Sequence, residues 1–260
     1  MQRIGLYFFI LIMFSGNVSA GWVIKEETYF SDQEGKEHRT VYAEGTFIKL
    51  EEKGLTTIID VARDKIIFYN SKAKTYWAGT LDDYDREMID GMRQKFLGTI
   101  SSYNDSARAI AIESFEKMAR QLMNDSVEGA EKLFVQVSQT KNGSPMFGYP
   151  TRIYMVWVNK VATEEVWVAP DVQLFREPVT RHYWEMFNRI TRYYEKGFHY
   201  QADPKYLYLM TRGYPVKVKE FGFRYDVITE VTRIKHKKLP DSVFRIPSGA
   251  NRVRLSKLNL

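Results

Sequence analysis

The side chains best suited to chemistry in this 260-residue sequence are its four histidines and two short groups of acids. His182 and Glu185 lie three apart on a predicted helix, a spacing at which both could reach one metal ion. No third ligand is near them in the sequence, so we predict a surface pair, no metal site and no cofactor. Glu164 and Glu165 are neighbours on a predicted strand, so their carboxylates face opposite ways and cannot act together on one substrate.

Three aspartates, Asp82, Asp83 and Asp85, form the second acidic group and suggest calcium at first sight. The segment lacks the glycine and the final glutamate that an EF-hand loop requires. It follows Thr80, which is a good helix cap, and acids in a first helical turn complement the helix dipole. We therefore predict that these carboxylates begin a helix.

The sequence also lacks the motifs that are typical of nucleophilic catalysis. The sequence has no cysteine, which removes thiolate nucleophiles, disulfides and the acylated cysteine of a bacterial lipoprotein. It has no Gly-x-Ser-x-Gly nucleophile elbow and no glycine-rich loop that would hold a phosphate. These features favour a protein that is not an enzyme.

The first twenty residues have the pattern of an export signal. Arg3 precedes an apolar run at 4–14, and small residues ending in Ala20 follow. We predict a signal peptide, residues 1–20, cleaved after Ala20, and a single periplasmic domain, residues 21–260. The alternative is a membrane anchor, but eleven apolar residues span only about 17 Å as a helix, against about 30 Å of hydrocarbon.

Periodicity in the remaining chain predicts an α+β fold. Alternating or β-branched segments predict five strands in an antiparallel meander, at 22–30, 38–50, 55–61, 65–70 and 75–79. Helical spacing follows in three amphipathic stretches: one after Thr80, one around 111–123 and one at 181–196. Further strands are predicted at 133–140, 152–159, 164–169, 206–210, 215–221 and 223–233, with a turn at 141–144 and a loop-like C-terminus.

Several motifs in the C-terminal half resemble the LolA-like superfamily, which includes outer-membrane lipoprotein carriers and exported proteins of unknown function. They lie at 148–154, 165–171, 213–217, 230–234 and 239–249. The resemblance implies a strongly curved, half-open antiparallel β-barrel with about three amphipathic helices as a lid. It also implies an apolar cavity between sheet and lid, which in the carriers is a site for acyl chains.

Methionine and aromatic side chains line the apolar sides of the predicted helices and strands. They form either an ordinary core or a deformable cavity for a lipid acyl chain or a similar apolar ligand, because the thioether of methionine adapts to shape. The cavity interpretation assigns the lining to Phe47, Phe68, Trp77, Met88, Met92, Phe96, Phe115, Met118, Trp157 and Trp167.

Positive charge is concentrated near the C-terminus of a chain whose net charge is +6. The basic residues there include Arg233, Lys235, Lys237 and Lys238. They are either a solvated face or a surface for anionic lipid head groups or an acidic partner. Export disfavours nucleic acid as that partner.

Two functions therefore remain open. The first is an exported, non-enzymatic binding protein for an apolar ligand, which would act in outer-membrane lipoprotein or lipid handling. The second is a periplasmic interaction or sensor module of an envelope complex, which would hold no ligand.

Overall fold

The described residues fold as α+β, with one open sheet of twelve strands and four helices. The computed structural model describes residues 20–123, 133–176, 179–191, 193 and 199–258, so the predicted signal peptide lies outside them apart from Ala20. The strands are β1 (Gly21–Phe30), β2 (Glu37–Glu44), β3 (Phe47–Glu52), β4 (Leu55–Asp60), β5 (Lys65–Asn70), β6 (Thr75–Thr80), β7 (Val135–Met146), β8 (Tyr149–Val158), β9 (Val161–Ala169), β10 (Tyr214–Glu220), β11 (Val227–Lys237) and β12 (Asn251–Arg252). The helices are α1 (Leu81–Thr99), α2 (Asp105–Met123), α3 (Val179–Thr191) and α4 (Pro204–Met210).

The sheet is strongly curved and is not closed. Its strand order is β12-β6-β5-β4-β3-β2-β1-β11-β10-β9-β8-β7, and every pairing is antiparallel except that of β12 with β6. The rings of Trp22 in β1 and Tyr149 in β8 are only 6.3 Å apart although three strands lie between them. In a flat sheet those two strands would be about 19 Å apart. The predicted half-open antiparallel barrel is confirmed.

The meander before the first helix has six strands, so the prediction of five is wrong. The predicted run 38–50 is a hairpin, β2 and β3, that reverses at Gly45 and Thr46. Gly45 has a φ of 63°, a left-handed conformation that glycine adopts at no steric cost.

The predicted start of α1 is confirmed. The hydroxyl of Thr80 accepts a hydrogen bond from the backbone N–H of Asp83 at 3.1 Å, and the Asp83 carboxylate accepts one from the backbone N–H of Thr80 at 3.0 Å. These two reciprocal bonds form a capping box, which satisfies N–H groups that the helix itself leaves unpaired.

Two predicted elements in the second half are wrong. The predicted turn at 141–144 belongs to β7, which continues to Met146 and reverses at Phe147 and Gly148, both with positive φ. The predicted strand at 206–210 is the helix α4. Asp203 caps it by accepting from the backbone N–H of Lys205 at 2.8 Å, and Pro204 supplies a helical φ at the first position.

The C-terminal segment, residues 238–258, wraps around the sheet, and we call it the strap. It crosses the outer face, where Phe244 contacts Phe47, and then pairs with β6 through β12. Its last residues return to the inner side, where Leu255 and Leu258 are buried in the main core. Among the described helices, none is long and apolar enough to cross a membrane.

Candidate functional site between the curved sheet and α3

The concave face of the sheet and the helices α1 and α3 enclose the main hydrophobic core. From the sheet come residues such as Ile24, Ile59 and Phe68, and from α3 come Tyr183 and Met186. Helix α3 has three buried residues, Tyr183, Met186 and Ile190, at a spacing that places them on one side. The aromatic and methionine side chains of α3 therefore fill the space above the sheet.

Helix α3 is positioned mainly by other helices. Its backbone lies close to α1, α4 and the 3-10 turns at Val61–Arg63 and His199–Ala202. The Tyr84 hydroxyl of α1 donates to the carbonyl of Ile190 at 2.9 Å. Arg189 of α3 donates to Asp85 at 2.6 Å and to Asp82 at 2.5 Å. These polar bonds join α1 and α3, while the buried side of α3 packs on the sheet through apolar and aromatic side chains.

The layer between α3 and the sheet is tightly packed. Its pocket has a volume of about 20 Å³ and lies between α3, the loop 172–175 and the start of β10. That volume is enough for about one water molecule. Most of its lining side chains are apolar or aromatic, among them Leu174, Tyr183, Trp184, Met210 and Tyr214. An acyl chain would enter only if these side chains moved apart.

A buried ion pair is bonded to Tyr214, one of the residues that line this pocket. Glu26 of β1 accepts from Arg39 Nε at 2.7 Å and from the Tyr214 hydroxyl at 2.5 Å. The Glu26 side chain is 4% exposed and that of Arg39 is 32% exposed. The charge of Glu26 raises the pKa of Arg39. Burial raises the pKa of Tyr214 and of the neighbouring Tyr183. Arg39 therefore stays charged, and both tyrosines keep their hydroxyl protons, at neutral pH.

A second buried carboxylate lies beneath α4. Glu164 of β9 is fully buried and accepts hydrogen bonds from the hydroxyls of Tyr200 and Tyr206 and, at 3.3 Å, from the side-chain amide of Gln201. Burial raises the pKa of Glu164, while these three donors oppose that rise. Glu165, its neighbour on the strand, is partly exposed, as alternation predicts.

The acids at the start of α1 have structural partners. Asp83 forms the capping box, and Asp82 and Asp85 both bind Arg189. His182 Nε2 lies 2.6 Å from Asp64, and its Nδ1 lies 3.6 Å from Glu185. In the described ranges, no three metal-ligating side chains are close enough to hold an ion.

The ten predicted lining residues lie in four places. Phe68 and Trp77 are buried in the main core, and Met88 packs against it. Met92, Phe96 and Phe115 form a separate small core between α1 and α2, where the Phe96 and Phe115 rings stack at 5.0 Å. Met118 is 38% exposed on α2. Only the first group therefore faces the layer below α1 and α3.

Three predicted lining residues lie on the outer face of the sheet. Phe47 packs on Phe244 of the strap at 5.5 Å. Trp157 and Trp167 alternate with the inward-facing Val156 and Val166, although Trp167 also packs against the main core. Neither residue lines the pocket beside α3.

Sequence reasoning missed the residues closest to the pocket, Tyr183, Trp184 and Tyr214, and the ion pair beside them. One signal was available. Glu26 shares a face of its strand with Trp22 and Ile24, and a lone carboxylate on an apolar face implies a buried partner.

A wider groove of about 650 Å³ lies on the other side of the sheet, between β3–β5 and the strap. Its lining mixes charged and apolar side chains, among them Lys49, Glu51, Tyr69, Arg245 and Pro247. Its mixed polarity and open position do not match an acyl chain, which needs a largely apolar enclosure.

No protein-family model matches the sequence, and no curated protein does. Among solved structures, the chain is similar to PNGF-II, with 11% identity over 90% of this chain and a TM-score of 0.41. It spans only 30% of the PNGF-II chain. It is also similar to a DUF1329 family protein from Desulfovibrio piger, with 7% identity, 88% and 91% coverage of the two chains, and a TM-score of 0.29.

A LolA superfamily protein from Nitrosomonas europaea matches with 8% identity, 88% of this chain, 91% of its own chain and a TM-score of 0.28. LolA-like structures are thus among the neighbours, in agreement with the resemblance in the sequence. At these scores we draw nothing from them about function. The proposals below rest on the geometry of this chain.

Proposed function

We propose that this chain is an exported, non-enzymatic binding protein that holds an acyl chain or a similar apolar ligand between the concave sheet and α3. One observation carries the proposal: α3 is fastened to α1 by polar bonds, but its buried side meets the sheet through methionine and aromatic side chains beside a small pocket. Such an interface can open without breaking backbone hydrogen bonds of the sheet. The folded unit would be residues 21–260 in the periplasm.

Burial of an acyl chain would supply free energy toward opening this layer. Each methylene removed from water contributes about 0.8 kcal/mol. A chain of twelve methylenes would contribute roughly 10 kcal/mol before the costs of ordering the ligand and moving the side chains. Tyr214 lines the pocket and its hydroxyl donates to Glu26, so a polar group lies beside the apolar lining. This role is compatible with lipid or lipoprotein handling in an envelope.

The tight packing of this layer also favours a second candidate function. An interaction or sensor module would keep the same interface permanently packed as core. The two candidates differ in one property, the uptake of an apolar ligand by the folded protein.

We expect Met186→Lys to weaken binding of the fluorescent fatty acid parinaric acid at least tenfold, because it places a charge at the centre of the layer. Met186 is 1% exposed, whereas Met118 is 38% exposed on α2. Met118→Lys is therefore the matched control and should bind as the wild type does. Fluorescence titration gives the affinities, and circular dichroism checks that each variant is folded.

A second readout locates the ligand even if Met186→Lys fails to fold. Trp184 lines the pocket, so its fluorescence should be transferred to bound parinaric acid. In Trp184→Phe that transfer should fall while binding persists. Absence of uptake by the wild type, or equal uptake by both lysine variants, would reject the binding function in favour of the interaction module.

A further inference from the structure

The outer face of β11 carries a strip of cations near its C-terminal end. The pairs between β10 and β11 stop at Lys217 and Glu230, so the last residues of β11 pair only with β1. Arg233, Lys235 and Lys237 alternate along this part and share one face, about 7 Å apart. Lys25 of β1 lies directly opposite Arg233. We call these four residues, with Lys238, the cationic strip.

Among the described residues, the cationic strip has no acidic counterpart. All five side chains are exposed, and none forms an ion pair with another residue of the described chain. The opposite end of the same face differs, because Lys217 pairs with Glu230 at 3.3 Å and Lys219 pairs with Asp226 at 2.9 Å. The unpaired charge is therefore concentrated at one end of the sheet.

The composition of the cationic strip distinguishes between possible partners. Lysine is depleted at protein–protein interfaces, whose strongest contacts come from tryptophan, tyrosine and arginine in pockets. Four of the five residues here are lysines, and they lie on an exposed sheet face. Lysines near a surface of anionic lipids each strengthen binding by about fivefold.

We propose that the cationic strip docks the protein on the phosphate groups of an anionic membrane surface. The inner side of β11 is apolar, with Ile234 packed against the main core and His236 stacked on Trp22. Docking therefore uses a face that folding leaves free. It requires no occupied acyl site.

The test is sedimentation of the exported protein with vesicles of phosphatidylglycerol and phosphatidylcholine in equal amounts. We expect binding that weakens as salt is added, because exposed charges are screened over about 10 Å at 0.1 M salt. The variant Arg233→Gln, Lys235→Gln, Lys237→Gln, Lys238→Gln should bind at least 100-fold more weakly, since each cation contributes about fivefold. Vesicles of phosphatidylcholine alone should not sediment either protein.

The control removes the same number of charges from cations that already have acidic partners: Lys36→Gln, Lys49→Gln, Lys217→Gln, Lys219→Gln. It should retain most of the binding. Equal loss in both variants would show that only net charge matters and would overturn the proposal. Absence of wild-type binding to the vesicles would also overturn the proposal. The strip would then be assigned to binding an acidic protein partner. Uptake of parinaric acid by the strip variant should be unchanged. Failure of membrane docking can therefore be distinguished from failure of the proposed ligand binding.

Discussion

Glu26→Leu is expected to lower the free energy of unfolding by about 3 kcal/mol. Removing one member of a buried ion pair leaves the other charge without compensation, which typically costs 3–5 kcal/mol. We place the effect near the lower end because the Arg39 side chain is 32% exposed and keeps some contact with water. Tyr214 also loses its acceptor, and its hydroxyl is buried. Chemical denaturation at neutral pH measures the change.

The adjacent residue supplies the control. Glu27 lies on the outer face and pairs with Lys36, whose side chain is 50% exposed. Exposed pairs of this kind contribute about 0–1 kcal/mol, so Glu27→Leu should change little. The double variant Glu26→Leu, Arg39→Met should be more stable than Glu26→Leu alone, because it removes the unpaired charge. Equal losses from Glu26→Leu and Glu27→Leu would contradict the buried-pair account.

The stability of the wild type is expected to rise as the pH falls from neutral, relative to that of Glu164→Gln. Burial raises the pKa of Glu164 in the folded protein above the ordinary value of 4.5. Between that ordinary value and the raised pKa, the folded carboxyl binds a proton that the unfolded chain releases. Stability therefore decreases with pH across this window and is constant above it.

Each unit by which the pKa is raised changes the unfolding free energy by about 1.4 kcal/mol over the window. The difference between wild type and Glu164→Gln, measured by denaturation at several pH values, isolates this contribution from the other carboxylates. Glu165→Gln is the matched control, because its side chain is partly exposed on the opposite face. If Glu164→Gln and the wild type showed parallel pH profiles, Glu164 would not be the titrating group.

Elements with one buried face could be predicted from the sequence. Alternation along 22–30 predicts β1, and the threonine followed by acids predicts the start of α1, because local side-chain patterns decide both. The turn at Gly45 is missed because β-branched and aromatic residues continue on either side of it. The helix α4 is missed because its tyrosines and leucines also suit a strand, while its start depends on the cap at Asp203.

The candidate site was harder to predict because its parts are distant in the sequence. Glu26 meets Arg39 across 13 residues and Tyr214 across 188. Periodicity shows that Met92 and Phe115 lie on apolar sides of their helices, but not which surface those sides cover. They pack between α1 and α2, whereas Met88 and Met186 face the sheet. The direction in which a helical hairpin folds is a tertiary property that no local pattern determines.

The most direct test of the binding function is mass spectrometry of lipids extracted from the exported protein, residues 21–260, after gentle purification. We predict a co-purifying acyl-chain lipid at close to one molecule per chain, and its absence from Met186→Lys carried through the same steps. A wild-type protein that carries no co-purifying lipid and also fails to take up parinaric acid would contradict the account. The layer below α3 would then be ordinary core.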